Sequence, residues 1–165
     1  KAGVKPGTEI GLDFIGTDAT FREVAEAVSS YLGAVGLNVK LHTYEENTYF
    51  SDIIPQAKTD QLFYMDWGGW TLDFDNTAAL LYGTGQYWNP TFSDPKVDNL
   101  IKQERSTYDQ EKRAKILQDL AAYLHDIAIG IPLYQEVNLW AINKRVHGFI
   151  APPDDRIRLL PVSVK

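Results

Sequence analysis

The chain contains no cysteine at all among its 165 residues. That excludes disulfides, thiolate zinc sites and a cysteine nucleophile, and it leaves the redox compartment unmarked. Positive charge is in short supply, with 16 Lys and Arg against 22 Asp and Glu and a formal charge of -6. Nucleic-acid binding needs a concentrated basic surface, so that balance argues against it. No apolar run approaches the roughly 18 residues that a bilayer-crossing helix requires. There is no initiator Met, and no charged stretch leads into an apolar one as a signal peptide would. The opening, Lys1 to Gly7, reads as a linker, as if the chain began at a domain boundary. Histidine is scarce too: His42, His125 and His147 stand far apart with no i,i+4 partner. No metal-ligand spacing results, and a surface or satisfied histidine is the expectation for each.

What the chain does have is a 44% hydrophobic composition, suited to a packed domain of one core's size. It also has an aromatic excess, 12%, and the excess is clustered. Trp67, Trp70, Phe74, Tyr82, Tyr87, Trp88 and Phe92 all fall between residues 67 and 92.

The periodicities predict a strand–helix–strand unit at the start. Ile10, Leu12 and Phe14 alternate, and Val24, Val28, Tyr31, Leu32 and Val35 follow at helical spacing. Thr20 and Glu23 have capping-box spacing, and Gly36 is the natural stop. Residues 37 to 44 alternate again, and the short connections imply a parallel pair. A weaker helix limited by Pro55 follows over 45–58. Gln61 to Met65 reads as a short central strand buried on both faces. Helices are predicted around 76–81, from Asp94 as cap with Pro95 first, and over 110–127. The last of these carries a stripe of Ala114, Leu117, Leu120, Ala121, Leu124 and Ala128. Strands are predicted at 131–137 and 139–142, and strand or tail at 156–164. There are no internal repeats. The fold class is α/β, one domain over 1–165 built on a mixed, mostly parallel sheet flanked by helices.

Enzyme chemistry finds little support. Gly83-Thr84-Gly85 lacks the third glycine of a phosphate cradle. Residues 73–76 lack the central Gly and closing Glu of a calcium loop. No Gly-x-Ser-x-Gly elbow exists. Asp66, Asp73 and Asp75 near a strand end could pair as glycosidase acids, although such carboxylates often only cap helices. The aromatic stretch just beyond a strand's carboxyl end carries more. Ligands of open α/β sheets bind there. Aromatic walls of Trp67, Trp70, Tyr87 and Trp88 with one carboxylate, Asp73, suit a ligand bearing an ammonium group. Core tryptophans and a capping Asp remain an equally open reading.

An ordered set of segments then carries a resemblance. It runs Ala34-Val35-Gly36-Leu37, Val39-Lys40-Leu41, Thr43-Tyr44-Glu45, and Gly69-Trp70-Thr71-Leu72-Asp73 followed by Asp75-Asn76. It continues through Tyr87-Trp88-Asn89-Pro90, Asp94 to Asp98, the Gln110–Leu124 helix, Ile131-Pro132-Leu133-Tyr134 and Val146-His147-Gly148-Phe149. Together these resemble the C-terminal lobe of the extracytoplasmic solute-binding proteins of peptide and nickel ABC transporters (family 5), along nearly all of the chain.

The resemblance implies one lobe of a type II periplasmic-binding-protein fold, with an N-terminal lobe as partner and membrane permease subunits as recipients of the ligand. It implies a binding protein that breaks no bond, needs no cofactor and no metal, and resides in the periplasm or outside the cell, lipid-anchored in some members. In peptide-binding members the Asp three places after the Trp of the Gly-Trp motif pairs with the ligand's α-ammonium, which points to Asp73. Trp70 carries over as a ligand neighbour, with Thr71 beside it. Trp67 and Trp88 join the candidate site on their chemistry alone. Dipeptide-preferring relatives have an Arg-x-Tyr after the first strand, and this chain has Ile15-Gly16-Thr17. A longer peptide is therefore expected. The alternatives are an oligosaccharide receptor of the same fold, using the tryptophans as stacking platforms, and an acid/base glycoside hydrolase using Asp66 or Asp73.

Overall fold

The computed structural model describes residues 3–68, 71–154 and 156–165. The chain divides into two compact units. The first comprises 1–67 and 79–98, and the second comprises 68–78 and 99–165.

The first unit is built on a parallel sheet. Strand β1 (Glu9–Ile15) leads to helix α1 (Ala19–Ala34) and returns to β2 (Asn38–Tyr44). β1 and β2 pair in parallel, from Glu9 opposite Asn38 to Ile15 opposite Tyr44. This is the expected unit. Leu12, Phe14 and Ile15 of β1 are buried with Phe21 and Ala25 of α1. At about 1.5–3 kcal/mol for each large apolar side chain fully buried, these residues hold the unit together. Thr20 is not the cap of α1. Asp18 is, accepting from the Thr20 and Phe21 N–H groups at 2.7 and 3.0 Å. A carboxylate two residues earlier is the stronger acceptor for the free N–H groups. Gly36 ends the helix at φ +94, where a side chain would be strained. Leu37 N–H donates to Leu32 O and Gly36 N–H to Gly33 O, closing a Schellman motif. Tyr31 and Val35 lie on the exposed side, so the buried stripe of α1 is narrower than the spacing predicts.

After β2, helix α2 (Glu46–Thr48) widens into a π-helical turn over Tyr49–Ile53. Pro55, which lacks an N–H, follows at once. Tyr49 is fully buried, and its hydroxyl donates to Asp13 O and Tyr64 O. Strand β3 (Leu62–Phe63) pairs in parallel with β1. The strand order is β2-β1-β3, so β1 is central and the 61–65 segment is a short edge strand with Phe63 exposed. Its five-residue run fits a half-covered edge as well as a buried centre, because so short a run has no readable period.

Helices α3 (Phe74–Tyr82) and α4 (Pro95–Arg105) each give residues to both units, and α5 (Gln110–Asp126) belongs to the second. Asp94 accepts from Lys96 N–H at the start of α4, as expected. Of the predicted α5 stripe, Leu117, Leu120 and Leu124 are buried, while Ala114, Ala121 and Ala128 are exposed. The strands predicted at 131–137 and 139–142 do not form. Their β-branched residues favour extended backbone, but a strand exists only where a neighbour supplies a ladder. Val137 and Leu139 are largely exposed. The ladder that does form joins β4 (Val146–His147) to β5 (Ser163–Val164), antiparallel. Gly148 follows at φ +76, and a Cβ there would collide with Pro161 O.

Candidate functional site

The candidate residues fall into two groups, one in each unit. In the first unit Trp88 is the centre of an edge-to-face aromatic group. Its ring centroid lies 4.9 Å from Tyr87, 5.5 Å from Phe50 and 5.8 Å from Trp67, at interplanar angles of 78°, 84° and 72°. These geometries favour the quadrupoles of the rings as well as area burial. The loop over 83–92 is pinned by polar contacts. Asn89 is buried, donates to Gly83 O at 2.8 Å and accepts from Phe92 N–H at 3.0 Å. Tyr87 donates its hydroxyl to Phe50 O at 2.9 Å. Thr84 donates its N–H and hydroxyl to the Asp98 carboxylate. Among the described residues the buried Trp67 Nε1–H finds no acceptor, so one donor in this group is left unsatisfied.

In the second unit Asp73 stands before α3. Its Oδ1 accepts from Asp75 N–H at 3.0 Å, the capping role that the sequence leaves open for it. Thr71 Oγ1 donates to Asp73 O at 3.3 Å. Asp73 is also gripped by Arg113 of α5, with Nη1–H to Oδ2 at 2.7 Å and Nη2–H to Oδ1 at 2.9 Å. The Arg113 fork holds the Asp73 carboxyl below the usual carboxylate range. A carboxylate offers about four lone-pair sites, of which three are taken, so Oδ2 retains one. The side chain is 39% exposed, so that site is reachable.

Arg113 donates its third N–H, Nε, to Glu104 Oε2 at 2.9 Å. Glu104, on α4, is 1% exposed. Burial, then the neighbouring Asp75 carboxyl, pushes its pKa up to about 7. Among the described residues its Oε1 accepts no hydrogen bond, and Arg105 Nε lies 3.6 Å from it. Asp75 is held in turn by Arg105, whose Nε–H and Nη2–H reach its two oxygens at 2.6 and 3.2 Å and lower its pKa. Three acids and two arginines thus form one network.

Trp70 lies outside the described residues. The structure brings Trp67 to Trp88, and Thr71 to Asp73. Asp66, the other acid of the hydrolase reading, is exposed. Arg113, Glu104 and Arg105 are not singled out by the sequence. Their acid partners from 68–78 lie 30 to 40 residues away, and no local spacing signals such a pair.

No protein-family model matches the chain. Among curated proteins it is 28% identical over 173 residues to di/tripeptide-binding protein 1 of Pseudomonas aeruginosa (strain UCBPP-PA14), covering 99% of this chain and 32% of that protein. It is 27% identical to a dipeptide-binding protein of P. aeruginosa PAO1, covering 94% of this chain and 30% of that one. It is 26% identical to the nickel-binding periplasmic protein of Escherichia coli K12, covering 86% and 27%. Among solved structures, HbpA2 from Haemophilus parasuis superposes with a TM-score of 0.81 at 22% identity, covering 99% of this chain and 33% of that one. A dipeptide binding protein from Pseudoalteromonas sp. SM9913 in complex with Met-Leu gives 0.80 at 23%, covering 99% and 34%. The chain spans about a third of the length of the curated relatives it matches. Its homologues are dipeptide- and nickel-binding periplasmic proteins, and its α/β fold is that of the periplasmic binding proteins.

Proposed function

We propose that this chain is the C-terminal lobe of the solute-binding component of an ABC importer. It captures peptides outside the cytoplasmic membrane and delivers them to permease subunits, together with an N-terminal lobe. The observation that carries this reading is similarity along 94–99% of the chain to peptide-binding proteins three times its length. No catalytic residue is assigned. Periplasmic or extracellular residence, with a lipid anchor on the whole protein, follows from the same reading.

Ligand contacts are assigned to Asp73, Thr71, Trp70, Trp67 and Trp88. Asp73 supplies the counter-charge for an α-ammonium through its remaining Oδ2 lone pair, with Arg113 keeping it ionised. Trp67 and Trp88 supply apolar area and one indole N–H that is unpaired among the described residues. The segment Ile15-Gly16-Thr17 carries no Arg to grip a peptide's carboxylate, which favours oligopeptides held through their backbone over dipeptides.

Calorimetry of the full two-lobed protein with peptide and oligosaccharide pools tests this. Peptides with free amino termini should bind. N-acetylation and Asp73→Asn should each weaken binding about 10- to 100-fold, the worth of a charge-assisted hydrogen bond of roughly 1.5–3 kcal/mol. A sugar complex indifferent to Asp73→Asn would overturn the reading in favour of a carbohydrate receptor. Turnover of glycosides lost in that variant would overturn it in favour of a hydrolase.

A further inference from the structure

The first unit contains a group of metal-ligating side chains that the peptide reading does not use. β1 and β2 are in register with Asp13 directly opposite His42. Partners in a parallel ladder send their side chains to the same face. The turn before β3 brings in Asp60, whose backbone N–H donates to Asp13 Oδ2 at 2.8 Å. His42 Nδ1 lies 2.5 Å from Asp60 Oδ2 and 3.4 Å from Asp13 Oδ1. The three ligand atoms lie within 4.8 Å of one another.

Asp13 separates this cluster from an ordinary acidic patch. It is fully buried, in the central strand, and among the described residues its Oδ1 accepts no well-formed hydrogen bond, His42 Nδ1 standing off at 3.4 Å. That oxygen is the one directed at His42 Nδ1. A buried carboxylate oxygen with no donor is costly unless something positive completes it. Lys40, two residues before His42 on β2, lies 3.6 Å from Glu9 instead. An open cleft of about 180 Å³ lined by His42, Asp60, Gly11 and Gln61 gives access from solvent.

We propose that Asp13 Oδ1, His42 Nδ1 and Asp60 Oδ2 form a binding site for a divalent first-row transition ion, with water completing the coordination. An imidazole nitrogen with two carboxylates suits zinc and its neighbours. Calcium and magnesium prefer all-oxygen sets. Metal bonds of about 2.0–2.2 Å at a tetrahedral centre set ligand atoms roughly 3.3 Å apart. The His42–Asp13 separation already matches. The His42–Asp60 pair has to open by under about 1 Å to reach that spacing, and Asp60 is 36% exposed and free to do so. The ion would clamp β1, β2 and the β3 approach together. This site does not depend on the ligand assigned above.

Titration calorimetry of the metal-free protein with zinc chloride tests it, with magnesium and calcium chloride as controls. One equivalent of zinc should bind, with none for the controls. His42→Ala and Asp60→Ala should each weaken binding at least 10-fold. Asp60→Ala keeps the backbone N–H that supports Asp13, so it separates ligation from folding. Gly11→Ala is a second probe: a Cβ there would collide with the Asp60 carboxylate and displace it. It should weaken zinc without removing a ligand. On zinc addition the ring protons of His42 should move in NMR spectra, and those of His125 and His147 should not. No zinc binding, or stoichiometric binding unchanged in His42→Ala, would overturn the proposal. Peptide binding measured in the same variants keeps its failure distinguishable from failure of the receptor reading.

Discussion

The aromatic group around Trp88 and the ionic network around Arg113 do similar jobs in different ways. Each fixes a candidate ligand residue: Trp67 in the first unit, Asp73 in the second. The aromatic group relies on buried area and ring geometry, which respond little to pH or salt. The ionic network relies on matched charges around a buried carboxyl. There, removing one partner leaves the other uncompensated. The first should therefore fail gradually when trimmed. The second should fail abruptly, and to a degree set by pH.

The sharpest break of the comparison is Arg113→Ala. It strips three N–H donors from two carboxylates at once. At pH 8 a loss of about 3 kcal/mol is expected, the cost of orphaning a buried charge. At pH 5 the loss should shrink, because Glu104 can then take a proton and become neutral. Urea unfolding at both pH values measures this, and an equal loss at each would show that Glu104 is not the orphaned group. Trp88→Ala comes next. The side chain is half-buried, so about 2 kcal/mol is expected, below the 3–5 of a fully buried Trp. That loss should be the same at pH 5 and pH 8, and the same in 1 M salt. A strong pH dependence at Trp88 would erase the distinction between the two groups.

The sequence makes the first of these groups visible, and of the second only Asp73 and Asp75, not the partners that hold them. Trp67, Tyr87 and Trp88 announce themselves by composition, and clustered aromatics come together from nearby positions. The β1–α1–β2 unit is equally legible, because its periods of 2 and 3.6 are complete over whole elements and Gly36 marks the stop. The helix from Asp94 is legible through its cap, and the helix from Gln110 through its leucine stripe. What cannot be read is whatever depends on partners distant in sequence. Arg113 meets Asp73 across 40 positions, and no periodicity records it. Asp13 reads as the polar alternate of a strand, and only register reveals His42 beside it. The 131–142 stretch has strand chemistry but no neighbour to pair with among the described residues, so its strands fail to appear.

The smallest expected effect separates the two acids that flank Arg113. Asp73 sits below its ordinary pKa and Glu104 above, at about 7. Their contributions to stability have opposite signs in pH. A lowered carboxyl stabilises the fold above the usual carboxylate range, and that contribution is lost as pH falls through its depressed value. A raised carboxyl contributes stability that is complete below about 4.5 and lost as pH rises through about 7. Stability should therefore peak between the two ranges. Glu104→Gln fixes the neutral form while keeping an acceptor for the Arg113 Nε–H. It should leave stability at pH 5 nearly unchanged and raise it at pH 8 by on the order of 1 kcal/mol, flattening the alkaline side of the profile. The acid side, set by Asp73 and Asp75, should remain. If the slope between pH 5 and pH 8 survives in Glu104→Gln, the neutral-range titration belongs to another group, and the abrupt, pH-set failure expected of the ionic network loses its cause.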